Sequence, residues 1–332
     1  MPGMADWATY VVIPEDGGSD GSGGSGGSDG SGGHEVYEVY EARFGAVGLD
    51  LDLLAGPDVV VPLIRARDRV RGRWRDDGMC EAAALIDLRS RTLLLFASEG
   101  PITQMRHRSA TWELLRRAWP GWELRWTYDG PAELASYLGL DPEEVRYRPP
   151  SVYSESALDL DDEELADRDP LVRVVTIGGA GRCHLLSAVN DHPIVEGPSL
   201  ADRLAEAPDH GVCALAADSG IHVDPARRRV GWWLLGAVPE AGEMASRWPG
   251  WTVEFWQDDW EEHVRVAGGR FVPPTVRREQ ALIELRSEAV EHWSPREPSD
   301  WVGWMQAVVP DSVRHRVIAA VGGADDVRAV GR

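Results

Sequence analysis

Trp119-Pro120-Gly121-Trp122 recurs as Trp248-Pro249-Gly250-Trp251, a shift of 129 residues in a chain of 332. The shift holds beyond the motif, setting Asp129 on Asp258, Glu133 on Glu262 and Gly139 on Gly268, with Leu124 on Val253 and Trp126 on Phe255. Upstream, with small gaps, Gly78-Met79-Cys80 resembles Gly211-Val212-Cys213, and the turn at residues 87–91 resembles that at 224–228. Self-similarity at one long shift implies two copies of a single unit, and it accounts for the length.

Each copy reads the same way. In the first, residues 81–87 and 92–97 are apolar runs around a polar turn, hence a hairpin. Residues 102–118 carry helical spacing, stopped by Pro120-Gly121. Residues 122–128 alternate as a strand, and 131–138 form a short helix opened by Pro131. The pattern is α+β: two tandem degenerate copies of a hairpin-helix-strand-helix unit, not the regular alternation of a doubly wound sheet. The first copy spans residues 1–140, an acidic linker 141–170, the second copy 171–274 and a helical tail 275–332. That tail, with helices over 276–290 and 300–321, is expected to pack across both copies. Residues 17–33 contain only Gly, Ser and Asp and form a flexible loop between strand-like runs at 7–13 and 35–43. A calcium-binding β-roll would need apolar residues in that repeat, and there are none.

Composition narrows the chemistry. The 34 basic residues are all arginine against 55 acids, giving a net charge of −21. Without lysine there is no phosphate-loop lysine and no Schiff base. The charge opposes binding to nucleic acid or an anionic membrane and favours a basic partner. Three cysteines, Cys80, Cys183 and Cys213, read as reduced thiols, and so the expected location is cytoplasmic. No apolar run is long enough for a membrane span.

Four features could carry chemistry. In the repeated motif, Trp119 and Trp122, with Trp248 and Trp251, could stack on a ligand, but the shared apolar follow-on favours core packing around the Pro120-Gly121 and Pro249-Gly250 turns. The acid pairs Asp129/Glu133 and Asp258/Glu262 could divide acid and base roles. With Gly130 or Asp259 as N-cap, however, Glu133 and Glu262 fall at the third helical position of a capping box. Arg65, Arg67, Arg69, Arg71, Arg73 and Arg75 stand at every second position. As a strand they would form a one-sided guanidinium row about 33 Å long, suited to an anion or to the chain's own acids at residues 161–164. Finally, Cys183-His184 with Asp191-His192 is too irregular for a zinc site, and residues 177–182 lack the spacing of a dinucleotide loop. No metal or cofactor is expected.

Duplication without a duplicated catalytic set points to a non-enzymatic binding protein, immunity- or regulator-like toward a basic protein, with Trp and Arg supplying interface anchors. The alternative is a hydrolase or transferase acting on a small anion held by the arginine row between the copies, with Asp129, Asp258 or Cys183 doing the chemistry.

Overall fold

The computed structural model describes residues 7–15, 37–42, 45–67, 69–70, 74, 76, 78–147, 172–179, 181–188, 191–293 and 314–315. The fold is α+β, built on two five-stranded mixed sheets.

The first sheet has the order β2-β1-β3-β4-β5. Its strands are β1 (Ala8–Ile13), β2 (Glu38–Ala42), β3 (Ala82–Asp87), β4 (Thr92–Ala97) and β5 (Glu123–Trp126). The second has the order β7-β6-β8-β9-β10, with β6 (Val172–Ile177), β7 (Arg182–Ser187), β8 (Ser219–Asp224), β9 (Arg229–Leu234) and β10 (Thr252–Phe255). In each sheet the first strand pairs antiparallel with the second and parallel with the third, the third antiparallel with the fourth, and the fourth parallel with the fifth. The registers correspond too. Ala8 faces Ala82, which faces Ala97, and Thr92 faces Glu123. In the second sheet Arg173 faces Ser219, which faces Leu234, and Arg229 faces Thr252.

The central strands AAALID and TLLLFA are apolar without alternation because all their residues are buried, so both sheet faces are covered. The helices are α1 (Leu49–Leu53), α2 (Pro57–Arg65), α3 (Arg108–Ala118) and α4 (Pro131–Tyr137) in the first half, and α5 (Ser199–Ala205) and α6 (Trp260–Val266) in the second, followed by α7 (Arg278–Trp293). In the first half the hairpin, helix, strand and short helix fall where periodicity puts them, with the helix beginning at Arg108 rather than at residue 102; in the second half the corresponding helix is a 3-10 helix over Ala241–Arg247. The opening hairpin of each half and the helices after it make the unit larger than the sequence pattern suggested. Residues 16–36, which hold the expected Gly/Ser/Asp loop, lie outside the described residues.

Three expectations change. Ala281, Leu282, Leu285, Ala289 and Trp293 of α7 join the core of the first half, so this helix packs on one half rather than across both. Residues 65–75 are not one strand: α2 ends at Arg65, and Arg69 makes an isolated bridge to Tyr40. Pro57 at the start of α2 and the apolar run that follows carry the helix up to the first arginine. Cys183 and Cys213 form a disulfide, which overturns the reading of three reduced thiols and removes the ground for a reducing compartment. Only Cys80 stays free among the three, buried, its thiol pushed up to about 12 by desolvation. Among the described residues no helix is long and apolar enough to cross a membrane. Most of the acidic linker and the expected helix at 300–321 lie outside the described residues.

Candidate binding site at the junction of the two halves

The two halves meet through the segments that follow β4, β5, β9 and β10. Arg108, at the start of α3 and only 1% exposed, is the central cation. Its Nε donates to Asp258 Oδ2 at 2.8 Å, and its Nη1 donates to the carbonyls of Ile102 at 3.0 Å and Leu235 at 3.1 Å. Its guanidinium lies 4.1 Å from the ring centroid of Trp126, whose own indole N–H donates to the Gly236 carbonyl at 2.7 Å. A planar, delocalised cation suits this place, since it bonds at its edge and stacks on its face.

Asp129 does the reciprocal work. Its carboxylate accepts two bonds from Arg146, at 2.7 and 2.6 Å, and one from the backbone N–H of Glu240 at 2.7 Å. Asp129 therefore reaches the segment after β9, and Asp258 reaches the segment after β4. The two acids matched by the repeat hold equivalent cross-half contacts. Tyr128 completes the seam: its carbonyl accepts from Val238 N–H at 2.8 Å, and its ring meets Phe255 edge-on at 4.9 Å.

Beside this seam lies a cleft of about 520 Å³, walled by Glu99, Thr103 and Gln104 of the first half and Arg173, His192 and Ser219 of the second. Asp50, fully buried, accepts from the backbone of Ile102 at 2.8 Å and Leu51 at 2.9 Å and so props the turn beneath the first wall. Burial pushes its carboxyl up to about 6. On the second wall Arg173 donates to the carbonyls of Asp191 and Ala188 at 2.6 and 2.8 Å. His192 Nδ1 accepts from Ile194 N–H, so its proton sits on Nε2 and is donated to Ser219 Oγ at 3.0 Å. Burial, and Arg173 after it, hold this imidazole well below its usual range. Ser219 thus receives a hydrogen bond from histidine, the reverse of what an activated nucleophile needs. Its own hydroxyl hydrogen is left for another acceptor.

Of the sequence-predicted residues the structure brings Asp129 and Asp258 to this junction and His192 to the cleft, and it places the others elsewhere. Trp119 and Trp248 are each 1% exposed, and their indoles donate to the carbonyls of Leu53 and Ile194 at 2.7 and 2.8 Å. Trp122 and Trp251 meet them edge-on, at 4.8 and 5.1 Å, across glycines Gly121 and Gly250 with φ of +77° and +78°. Trp248→Phe is expected to lose about 2 kcal/mol in urea unfolding, because a buried carbonyl loses its donor and the ring shrinks. Trp251→Ala, at the half-exposed ring, is expected to lose about half as much.

Asp259 caps α6 by accepting from Glu262 N–H at 3.1 Å, while Glu262 pairs with Arg265 rather than reaching back. Glu133 receives only a long 3.5 Å contact from Asp129 N–H and one of 3.4 Å from Arg125. Arg65 pairs with Glu38 at 2.8 Å, and Arg67 sits 3.9 Å from Asp52 and over the Tyr10 ring at 5.4 Å. Arg71, Arg73 and Arg75, like the acids at 161–164, lie outside the described residues. Gly178 and Gly179 turn β6 into β7, a strand-turn-strand and not a strand-turn-helix phosphate loop. Cys183 is occupied by its disulfide. Among the described residues no group of three or more His, Cys, Asp or Glu is arranged to hold a metal. No protein-family model matches this chain, and no curated protein or solved structure matches it.

Arg108, Arg173 and Ser219 were not selected from sequence, and His192 was considered there only as a member of a cysteine-histidine cluster. Arg173 is a single polar residue in an apolar run, while Arg108 stands among Arg106, His107 and Ser109 and Ser219 follows Asp218, so nothing in their neighbours singles them out.

Proposed function

We propose that the chain is a binding protein formed from two diverged copies of one α+β unit, and that a basic protein is its partner. The matched strand orders, registers and cross-half acids support the duplication. The observation that carries the partner class is where the arginines go. Arg65, Arg89, Arg203, Arg227, Arg247 and Arg278 pair with Glu38, Asp87, Glu196, Asp224, Glu240 and Glu113 of the same chain. With these six cations paired internally and a net charge of −21, the field outside the molecule is that of the surplus carboxylates. Such a field steers a basic partner inward and repels nucleic acid.

A second reading is favoured by the 520 Å³ cleft, whose Ser219 hydroxyl and Arg173 could receive a small anionic molecule. One pair of measurements separates the two. Capture on the immobilised protein at low salt should recover basic proteins that high salt releases, while a panel of small anions leaves the melting temperature unchanged. Stabilisation by a small anion with no salt-released basic protein would replace the first reading by the second.

A further inference from the structure

The face of the second sheet covered by α6 holds a polar chain where the first sheet is apolar. The Trp233 indole donates to His263 Nδ1 at 3.0 Å. His263 Nε2 lies 2.7 Å from Thr176 Oγ1, which lies 2.9 Å from His222 Nδ1. An indole N–H only donates, which settles the first two directions. His263 accepts at Nδ1 and donates from Nε2 to the Thr176 hydroxyl, whose own hydrogen is free to go to His222 Nδ1. The register-matched residues of the first half are Phe96, Leu134, Val11 and Leu85. Gly220 makes the room, since a Cβ there would stand 2.5 Å from His263 Nδ1.

We propose that this chain is an acid-triggered latch: a proton on His263 drives α6 off β8 and β9 and, through Asp258 just before that helix, loosens the hold on Arg108. The geometry leaves the added proton one place to go. It must enter Nδ1, where it meets the Trp233 N–H donor head-on, with no water-exposed side because His263 is fully buried. Thr176 cannot relieve the conflict, for it contacts the other ring nitrogen. Asp258 and Asp259 form the entry to α6, Asp259 as its cap, so displacement of the helix pulls directly on the Arg108 contact.

The charged groups around the pair are few. On β8, His222 acts on His263 and Asp224 acts on His222, and Asp224 is engaged by Arg227. On α6 itself, Glu261 and Arg265 are exposed and Glu262 pairs with Arg265; on β10, Glu254 pairs with Arg229. Burial, with His222 second, holds His263 down at about 3. When α6 is released the ring returns toward its ordinary value of 6.5. The released form therefore binds the proton more tightly. The closed latch is fully stable above about pH 6.5 and is progressively lost as pH falls toward 3.

Indole N–H resonances of the intact protein test this in one titration. From about pH 7.5 to about pH 5 the opening constant read by hydrogen exchange in α6 should rise about thirtyfold. The Trp233 and Trp126 indole signals should change together, while that of Trp119, bonded to Leu53 in the first half, stays constant. The triple variant Thr176→Val, His222→Leu, His263→Leu, which restores the residues of the first half, should lose the pH response. Constant Trp233 and α6 signals in the wild-type protein would overturn the proposal whatever the variant does. So would an unchanged response in the triple variant, since a group outside this chain of hydrogen bonds, such as Asp50 or another histidine, would then be its source.

Discussion

Asp258→Ala is expected to cost about 3 kcal/mol, because it leaves the Arg108 guanidinium buried without its carboxylate. The residue lost is itself about one-third exposed, but the one left behind is 1% exposed, and that asymmetry sets the size of the effect. The double variant Arg108→Met, Asp258→Ala tests the explanation. Removing both charges should recover about half of the loss and no more, since the Ile102 and Leu235 carbonyls forfeit the donor they share. Urea unfolding of the three proteins measures this. A double variant as unstable as the single one would mean that Asp258 acts through something other than Arg108.

Gly197→Ala is expected to be at least as severe, about 3 kcal/mol or more, although no side chain is removed. Gly197 has φ +69° and ψ −156°, a region open essentially to glycine alone, and an added Cβ would stand 2.4 Å from the Arg247 carbonyl oxygen. Gly56 in the first half repeats both features, with φ +75° and the Ala118 carbonyl oxygen at 2.7 Å. Gly250 has φ +78° but meets only the far end of the Arg228 side chain, at 4.0 Å from its Cβ position, so Gly250→Ala should cost only about 1 kcal/mol. Thermal unfolding of the two alanine variants side by side distinguishes backbone clash from dihedral strain. Equal losses would show that the close carbonyl is irrelevant.

Much of the fold was legible because it is written in short range. The β3–β4 hairpin, α3, β5 and α4 announce themselves through apolar spacing and the Pro120-Gly121 stop, and the same signals recur in the second half. The guanidinium row was misread for a physical reason. Alternation over 65–75 suggests period two, but the α2 helix that begins at Pro57 carries its own apolar stripe through Ile64 and ends on the first arginine. A side-chain pattern that starts inside one element cannot define the next. The disulfide was hidden by sequence distance: Cys183 and Cys213 are 30 residues apart, and only the β7 edge and the bridge from Cys213 to Phe271 bring them together. The latch was within reach. The shift that sets Glu133 on Glu262 also sets Leu134 on His263, and the exchange of leucine for histidine in a repeated core position marks the place where the halves part company. The junction was not within reach, because Arg108 finds Asp258 only when both sheets are built.

Gly231 and Trp256 have a consequence for how the two halves can change. The Trp256 ring occupies the space a side chain at 231 would fill, a Cβ there lying 1.8 Å from its Cζ2. The matched residues of the first half are Leu94 and Thr127, which place the bulk on the strand and the small group after it. Either arrangement fills the layer, but a hybrid does not: leucine with tryptophan overfills it and glycine with threonine leaves a void. The two positions are 25 residues apart and can only move together. Any graft of one half onto the other must therefore carry β9 and the segment after β10 as a single inheritance.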